Sequence, residues 1–248
     1  MAAPVHSPIS ARKRHALELF AGLPGGYDRM GALLSLGQDP RWRRALVDAI
    51  APAPGQRILD VATGTGLVAR ELARHAHCEV IALDQSSEML DGARKRLAAS
   101  PDLANRITLV RGEAERLPFE DAEFDALTFT YLLRYVDDRE ATMRELARVV
   151  KPGGRIGMVE FDVPRNGALR AVWQLHTRAG LPVIGRLVSR DWYEVGRFLR
   201  PSIEALHATE PDIPGLWRRA GVADVRMRSM SLGAGLVMWG TRDGNRTA

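Results

Sequence analysis

Two aspartates and two glycines carry the first chemical signal in this chain. In the stretch Ile58 to Gly66, read as ILDVATGTG, an apolar run ends in an acid, Asp60, and is followed by a turn punctuated by Gly64 and Gly66. Bare glycines let a ligand lie against the backbone, and the N–H groups that open the following helix converge on one spot. Eighteen residues after Gly66, the run Val80 to Leu83 ends in a second acid, Asp84, placed to accept both hydroxyls of a ribose. Gly64, Gly66 and Ala69 also satisfy the dinucleotide fingerprint G-x-G-x-x-G/A, so a nicotinamide-dependent oxidoreductase is one reading of this pair of signals. An ordinary strand-to-helix connection is another. Two further features separate these readings: the spacing Asp60-x-Ala62-x-Gly64-x-Gly66, and a third segment carrying Gly112-Glu113-Ala114 and then Leu117-Pro118-Phe119.

These residues need elements that bring them to one edge. Short apolar runs predict strands over Arg57–Val61, Glu79–Asp84, Ile107–Arg111, Phe124–Thr130 and Arg155–Phe161, with helices over Leu67–His75, Ser87–Ala99 and Arg139–Val149 between them. Such alternation predicts an α/β fold with a doubly wound, mainly parallel sheet and right-handed crossovers. Lys151-Pro152-Gly153-Gly154 reads as a helix stop and turn ahead of the fifth strand. A helix over Pro214–Gly221 and a terminal antiparallel hairpin, Val225–Ser231 and Gly235–Arg242, bring the sheet to seven strands.

Ahead of the sheet, residues 1–54 read as an N-terminal helical cap: a loose tail to Ile9, then helices over Ala11–Leu23, Tyr27–Leu36 and Arg41–Ile50, the last entered through Asp39-Pro40. Residues 55–161 read as the ligand-binding core and 211–248 as the last helix and hairpin. Between them, 162–210 is rich in helix formers but broken in sequence at Pro164, Pro182 and Pro201. At about 50 residues it is long for a connection and predicts a helical lid within a single domain.

Composition narrows the function classes. The net charge of +5 and pI near 9.8 come from 35 basic residues of which only Lys13, Lys95 and Lys151 are lysines, and the arginines are scattered without an aromatic-rich basic face. This excludes nucleic acid as the expected partner. Cys78 is the only cysteine, so no intramolecular disulfide or cysteine-rich metal site is expected, and a reducing, cytoplasmic setting is. Arg12, Lys13 and Arg14 have no apolar segment behind them, and no run approaches the roughly 18 apolar residues of a membrane span. No strong basic amphipathic anchor is read either, so stable membrane insertion is not expected.

The glycine turn and the third segment resemble class I S-adenosylmethionine methyltransferases. The flanking motifs resemble more narrowly the ubiquinone/menaquinone C-methyltransferase family: Tyr27-Asp28-x-Met30, Leu33-Leu34-Ser35-Leu36-Gly37, Arg41-Trp42-Arg43, DVATGTG, GEAERLPF, Leu133-Arg134-x-Val136, KPGG, and in the lid Leu181 to Val188, Tyr193, Phe198-Leu199 and Ser202-Ile203. The likeness spans Tyr27 to Arg242. It departs at Gly31 and Tyr135, where the family carries asparagines. Tyr135 offers a flat apolar face in place of an amide that would fix a ring oxygen.

The resemblance implies a Rossmann-like seven-stranded fold and S-adenosyl-L-methionine as cofactor. It places Gly64, Thr65 and Gly66 along the methionine part, Asp84 at the ribose, Glu113 with the Ala114 backbone at the adenine edge and a backbone contact at Thr130, with Tyr27, Thr63, Gln85 and Met89 completing the cofactor set. The implied partner is a small aromatic or quinol-like acceptor, C-methylated as in demethylmenaquinol. O-, N- or C-methylation of a secondary metabolite is the alternative, and a homodimer is left open. The donor arrives activated, so positioning dominates and no protein nucleophile is required; positioning contributes roughly 7–11 kcal/mol of barrier reduction. Arg134 is the first candidate to stabilise charge on the acceptor oxygen, against a surface ion pair as its plain reading. His176 and His207 in the lid are candidate bases, and Trp173, Trp192 and Tyr193 candidate apolar walls.

Overall fold

A computed structural model describes residues 14, 32, 35 and the continuous stretch 37–244. The tail to Ile9, Tyr27 and Gly31 lie outside the described residues, as do the helices expected over Ala11–Leu23 and Tyr27–Leu36 apart from residues 14, 32 and 35.

The described chain runs α1 (Asp39–Ile50), β1 (Arg57–Val61), α2 (Leu67–His75), β2 (Glu79–Asp84), α3 (Ser87–Ala98), α4 (Pro101–Ala104), β3 (Ile107–Arg111), β4 (Phe124–Thr130), α5 (Arg139–Arg148) and β5 (Val150–Phe161). After these come α6 (Gly167–Leu175), a π-helical turn (His176–Gly180), α7 (Leu181–Val188), α8 (Arg190–Thr209), α9 (Ile213–Arg219), β6 (Val222–Met230) and β7 (Gly235–Arg242). The seven strands form one sheet in the order β3-β2-β1-β4-β5-β7-β6, with β7 antiparallel to both its neighbours. Strand order reverses between β1 and β4, and this topological switch point opens a crevice at the strands' carboxyl ends.

Both sheet faces are covered, which explains the unbroken apolar runs of the parallel strands. Successive side chains alternate between two cores: Leu59 and Val61 point into one with Phe129, Leu206 and Trp217, while Ile58 joins Trp42, Leu46 and Leu72 in the other. Burying each such large apolar side chain contributes about 1.5–3 kcal/mol.

Two elements differ from the sequence expectation. Lys151 to Gly154 is no turn ahead of the fifth strand but a bulge inside it: Val150 pairs with Phe124, yet the next aligned pair is Arg155 with Ala126. Gly153 at φ +81° makes the bulge affordable in backbone terms. Between residues 162 and 210, Pro182 follows directly on the π-helical turn within a continuous helical path, and Pro201 lies inside the 20-residue α8. Tertiary burial of Ile203 and Leu206 holds α8 together past its proline.

Candidate active site

The turn between β1 and α2 is built on Asp60. Asp60 is in register with Thr128 of β4, and its carboxylate accepts from Thr63 Oγ1 at 2.6 Å and Thr128 Oγ1 at 2.7 Å. Burial pushes the Asp60 carboxyl up to about 6 against these hydrogen bonds. Asp84, at the end of β2, reaches across to the same turn: Oδ2 accepts from the Gly64 N–H at 2.7 Å and Oδ1 from the Ser86 N–H at 2.9 Å. Burial likewise raises the Asp84 carboxyl. Gly64 and Gly66 have φ of +56° and +76°, and a Cβ on Gly64 would meet nothing within 4 Å, so the bare backbone there faces open space.

That space is a cavity of about 210 Å³ at the switch point. Of the residues singled out in the sequence, Thr63, Gly64, Thr65, Asp84, Gln85, Met89, Ala114, Thr130 and Arg134 line it. Gly66 does not; it caps α2. Glu113 is exposed and pairs with Arg116 in an isolated bridge, while Gly112, Ala114 and Glu115 form that wall. His176 lies in the π turn, against Gly180, away from the cavity lining. His207 Nε2 sits 3.3 Å from the Phe161 carbonyl and 3.4 Å from Asp162 Oδ1. Of the three aromatic wall candidates, only Trp192 lines the cavity, beside Val195 and Leu199 of α8.

The far wall holds most of what the sequence concealed. Arg134 is 3% exposed, so the surface ion pair is replaced by a buried one: its Nε donates to Glu160 Oε1 at 2.9 Å and Nη1 to Ser202 Oγ at 2.9 Å. Its guanidinium packs over the rings of Tyr135, Phe161 and Tyr131 at 5.0, 5.2 and 5.8 Å. Burial raises the Glu160 carboxyl, and the Arg134 charge opposes that shift. Tyr131 stacks on Phe161 and donates its hydroxyl to Asp39 Oδ1 at 2.6 Å; Asp39 is also paired with Arg43. Burial, then the Asp39 charge, lifts the Tyr131 phenol well above its ordinary value. Ala62 (φ +53°) and Tyr131 (φ +57°) follow β1 and β4 directly, line the cavity, and are held in a left-handed conformation that non-glycine residues rarely adopt.

Glu160 had a readable signal, since it lies near the end of an apolar run as Asp60 and Asp84 do. Asp39 was legible only as a helix start, and nothing in the sequence joins it to Tyr131.

The arrangement offers a ribose-sized acceptor in Asp84, a bare backbone cradle at Gly64, and an apolar, aromatic chamber with a fixed cation at its far end. It suits a nucleoside-bearing ligand with a flat acceptor beside it. The sequence matches the ubiE/COQ5 methyltransferase family over residues 9–242. It is 35% identical over 244 residues to demethylmenaquinone methyltransferase of Clavibacter sepedonicus, covering 98% of this chain and 97% of that protein. It is 34% identical over 226 residues to the ubiquinone/menaquinone biosynthesis C-methyltransferase UbiE of Desulfotalea psychrophila, covering 91% and 89%. Among solved structures, an S-adenosylmethionine-dependent methyltransferase of Thermotoga maritima superposes with TM-score 0.61 at 21% identity, covering 92% of this chain and 100% of that one, which shows the shared fold. These matches remove the nicotinamide reading that the glycine fingerprint left open.

Proposed function

The chain belongs to the ubiE/COQ5 methyltransferase family and is an S-adenosylmethionine-dependent enzyme; from that premise we propose that it methylates a ring carbon next to a hydroxyl on a demethylmenaquinol-type acceptor. The observation that carries this reading is a buried arginine framed by three aromatic rings, lining the same cavity as the glycine turn.

Bound S-adenosylmethionine supplies an activated methyl whose carbon–sulfur bond breaks as the carbon–carbon bond forms. In this reading Asp84 takes the ribose hydroxyls, the Gly64–Thr65 backbone lies along the methionine part, and Met89 and Ala114 bracket the base. Tyr131, Phe161, Trp192 and Leu199 exclude water and hold the acceptor ring. Arg134, which stays protonated, stabilises the oxygen as its proton leaves, and that negative charge makes the adjacent ring carbon nucleophilic. Its bonds to Glu160 and Ser202 fix its plane. The ring carbon's own proton is lost as the ring regains aromaticity and the oxygen takes a proton back, so one proton is released per turnover. Residues 162–210 act as the cover, since α8 contributes Trp192, Val195 and Leu199 to the wall.

Tyr135 favours a second acceptor class. It lines the cavity, stacked on Phe198 of α8 at 6.2 Å and 13° with the Arg134 guanidinium over its ring, and an aromatic side chain at this position suits a phenolic or polyketide ring. Mass spectrometry after incubation with deuterated S-adenosylmethionine, a demethylmenaquinol analogue and a panel of phenols separates the two. Labelled quinol supports the first reading, and labelled phenols with unlabelled quinol replace it with the second.

A further inference from the structure

The outer face of the lid carries an apolar stripe that the cavity does not use. The helices α6 and α7 and the π turn between them run on without leaving the right-handed helical conformation, from Gly167 to Val188. The α7 part of this helix lies on α8 so closely that a Cβ at Gly185 would fall 2.3 Å from the Trp192 carbonyl oxygen, and one at Gly196 would fall 2.8 Å from Leu181. Along its length the helix exposes Val172 (66%), Leu175 (70%), Val183 (59%), Leu187 (83%) and Val188 (48%). These are five of the seven large apolar side chains exposed among the described residues. An apolar stripe gathered on one helix marks an interaction surface, whereas scattered exposed leucines do not.

Charge identifies the occupant. Between Asp162 and Asp191 the chain has five arginines, Arg165, Arg170, Arg178, Arg186 and Arg190, all exposed, and no acidic residue. A second copy meeting this face about a two-fold axis would oppose one arginine set to another. A surface combining apolar depth with anionic headgroups satisfies both features, which is the pattern of a helix lying in the membrane interface. The stripe crosses the π turn, where the 3.6-residue period fails, so it does not stand out as an amphipathic pattern in the sequence.

We propose that the helix Gly167–Val188 docks this chain reversibly on an anionic phospholipid bilayer, its apolar stripe seated among the acyl chains and its arginines at the headgroups. The inference deepens the proposed function and rests on it in one respect: a quinol with an isoprenoid tail resides in the bilayer. Docking then brings the outer side of the two-helix lid to the membrane while α8 lines the cavity from its inner side.

The test is flotation of the full chain with vesicles containing no acceptor, made of phosphatidylcholine alone or of a phosphatidylcholine and phosphatidylglycerol mixture. The chain is expected to float with the anionic vesicles, far less with the neutral ones, and less as salt rises. The double variant Leu175→Gln/Leu187→Gln and the double variant Arg178→Glu/Arg186→Glu are each expected to weaken binding about tenfold or more. Both should keep the wild-type circular dichroism and the wild-type turnover of a short-tailed, water-soluble acceptor. No flotation on either vesicle overturns the proposal, and so does flotation that neither variant changes. A dimer that Leu175→Gln/Leu187→Gln dissociates, with no vesicle binding, overturns it by assigning the face to a second copy. Flotation by a chain that methylates only soluble phenols leaves the docking standing while the quinol reading falls, so the two fail separately.

Discussion

Asp60→Asn isolates the electrostatic cost at the heart of the glycine turn. In the unfolded chain this carboxyl titrates near 3.8, and in the fold burial lifts it to about 6. The folded state therefore holds the proton more tightly, so Asp60 costs nothing well below pH 3.8. It destabilises progressively as pH rises through 6, and its effect is level above that. Two pKa units correspond to about 3 kcal/mol at neutral pH, of which about 2 kcal/mol accrues between pH 4.5 and 7.5. Asparagine lacks this dependence but replaces one acceptor oxygen with a donor, so Thr63 or Thr128 loses its acceptor, a cost of about 1 kcal/mol at every pH. The variant is thus expected to match wild type near pH 4.5 and to exceed it by about 2 kcal/mol at pH 7.5. Urea unfolding followed by tryptophan fluorescence at both pH values measures the difference, from which all other titrating groups cancel to first order. A wild-type-to-variant difference that is flat across this range refutes the account of Asp60 as a desolvated, ionised carboxylate. The same variant should bind S-adenosylmethionine more weakly than wild type in calorimetry, because Thr63 lines the cavity.

Asp84→Ala is expected to fold and to lose about 1–3 kcal/mol of S-adenosylmethionine affinity; wild-type affinity by calorimetry would remove Asp84 from the site. Arg134→Met should lose about 3–5 kcal/mol of stability by stranding the Glu160 charge, and Arg134→Met/Glu160→Leu should recover most of it without recovering kcat. Recovery of kcat in the double variant would make Arg134 purely structural. Protease nicking within 162–210 should slow only when S-adenosylhomocysteine and acceptor are both present, and equal cleavage in all conditions would make this segment a rigid cover.

The strands β1 to β4 were legible to the residue because a buried parallel strand has to be apolar throughout, and Asp60 and Asp84 stand out at their ends for the same reason. What the sequence concealed lies in contacts between distant segments. Glu160 meets Arg134 across β5 and the loop after β4, and Asp39 meets Tyr131 across 92 positions. Local pattern carries no trace of either pairing. Proline misled between residues 162 and 210, where burial of Ile203 and Leu206 outweighs the lost hydrogen bond at Pro201. KPGG misled for a related reason: its glycines make a bulge, and a bulge uses the same residues as a turn. Glu113 was singled out by its motif, yet it is Ala114 and Glu115 that line the cavity.

The chamber is proposed to direct the methyl to carbon. Incubation of the chain with demethylmenaquinol analogue and S-adenosylmethionine carrying a ¹³C-labelled methyl, followed by carbon NMR of the product, tests it most directly. A labelled aryl methyl on the ring carbon beside a hydroxyl, reduced sharply by Arg134→Gln, is the predicted result. A labelled aryl methoxy group, or an unlabelled quinol with label found on other acceptors, would contradict it.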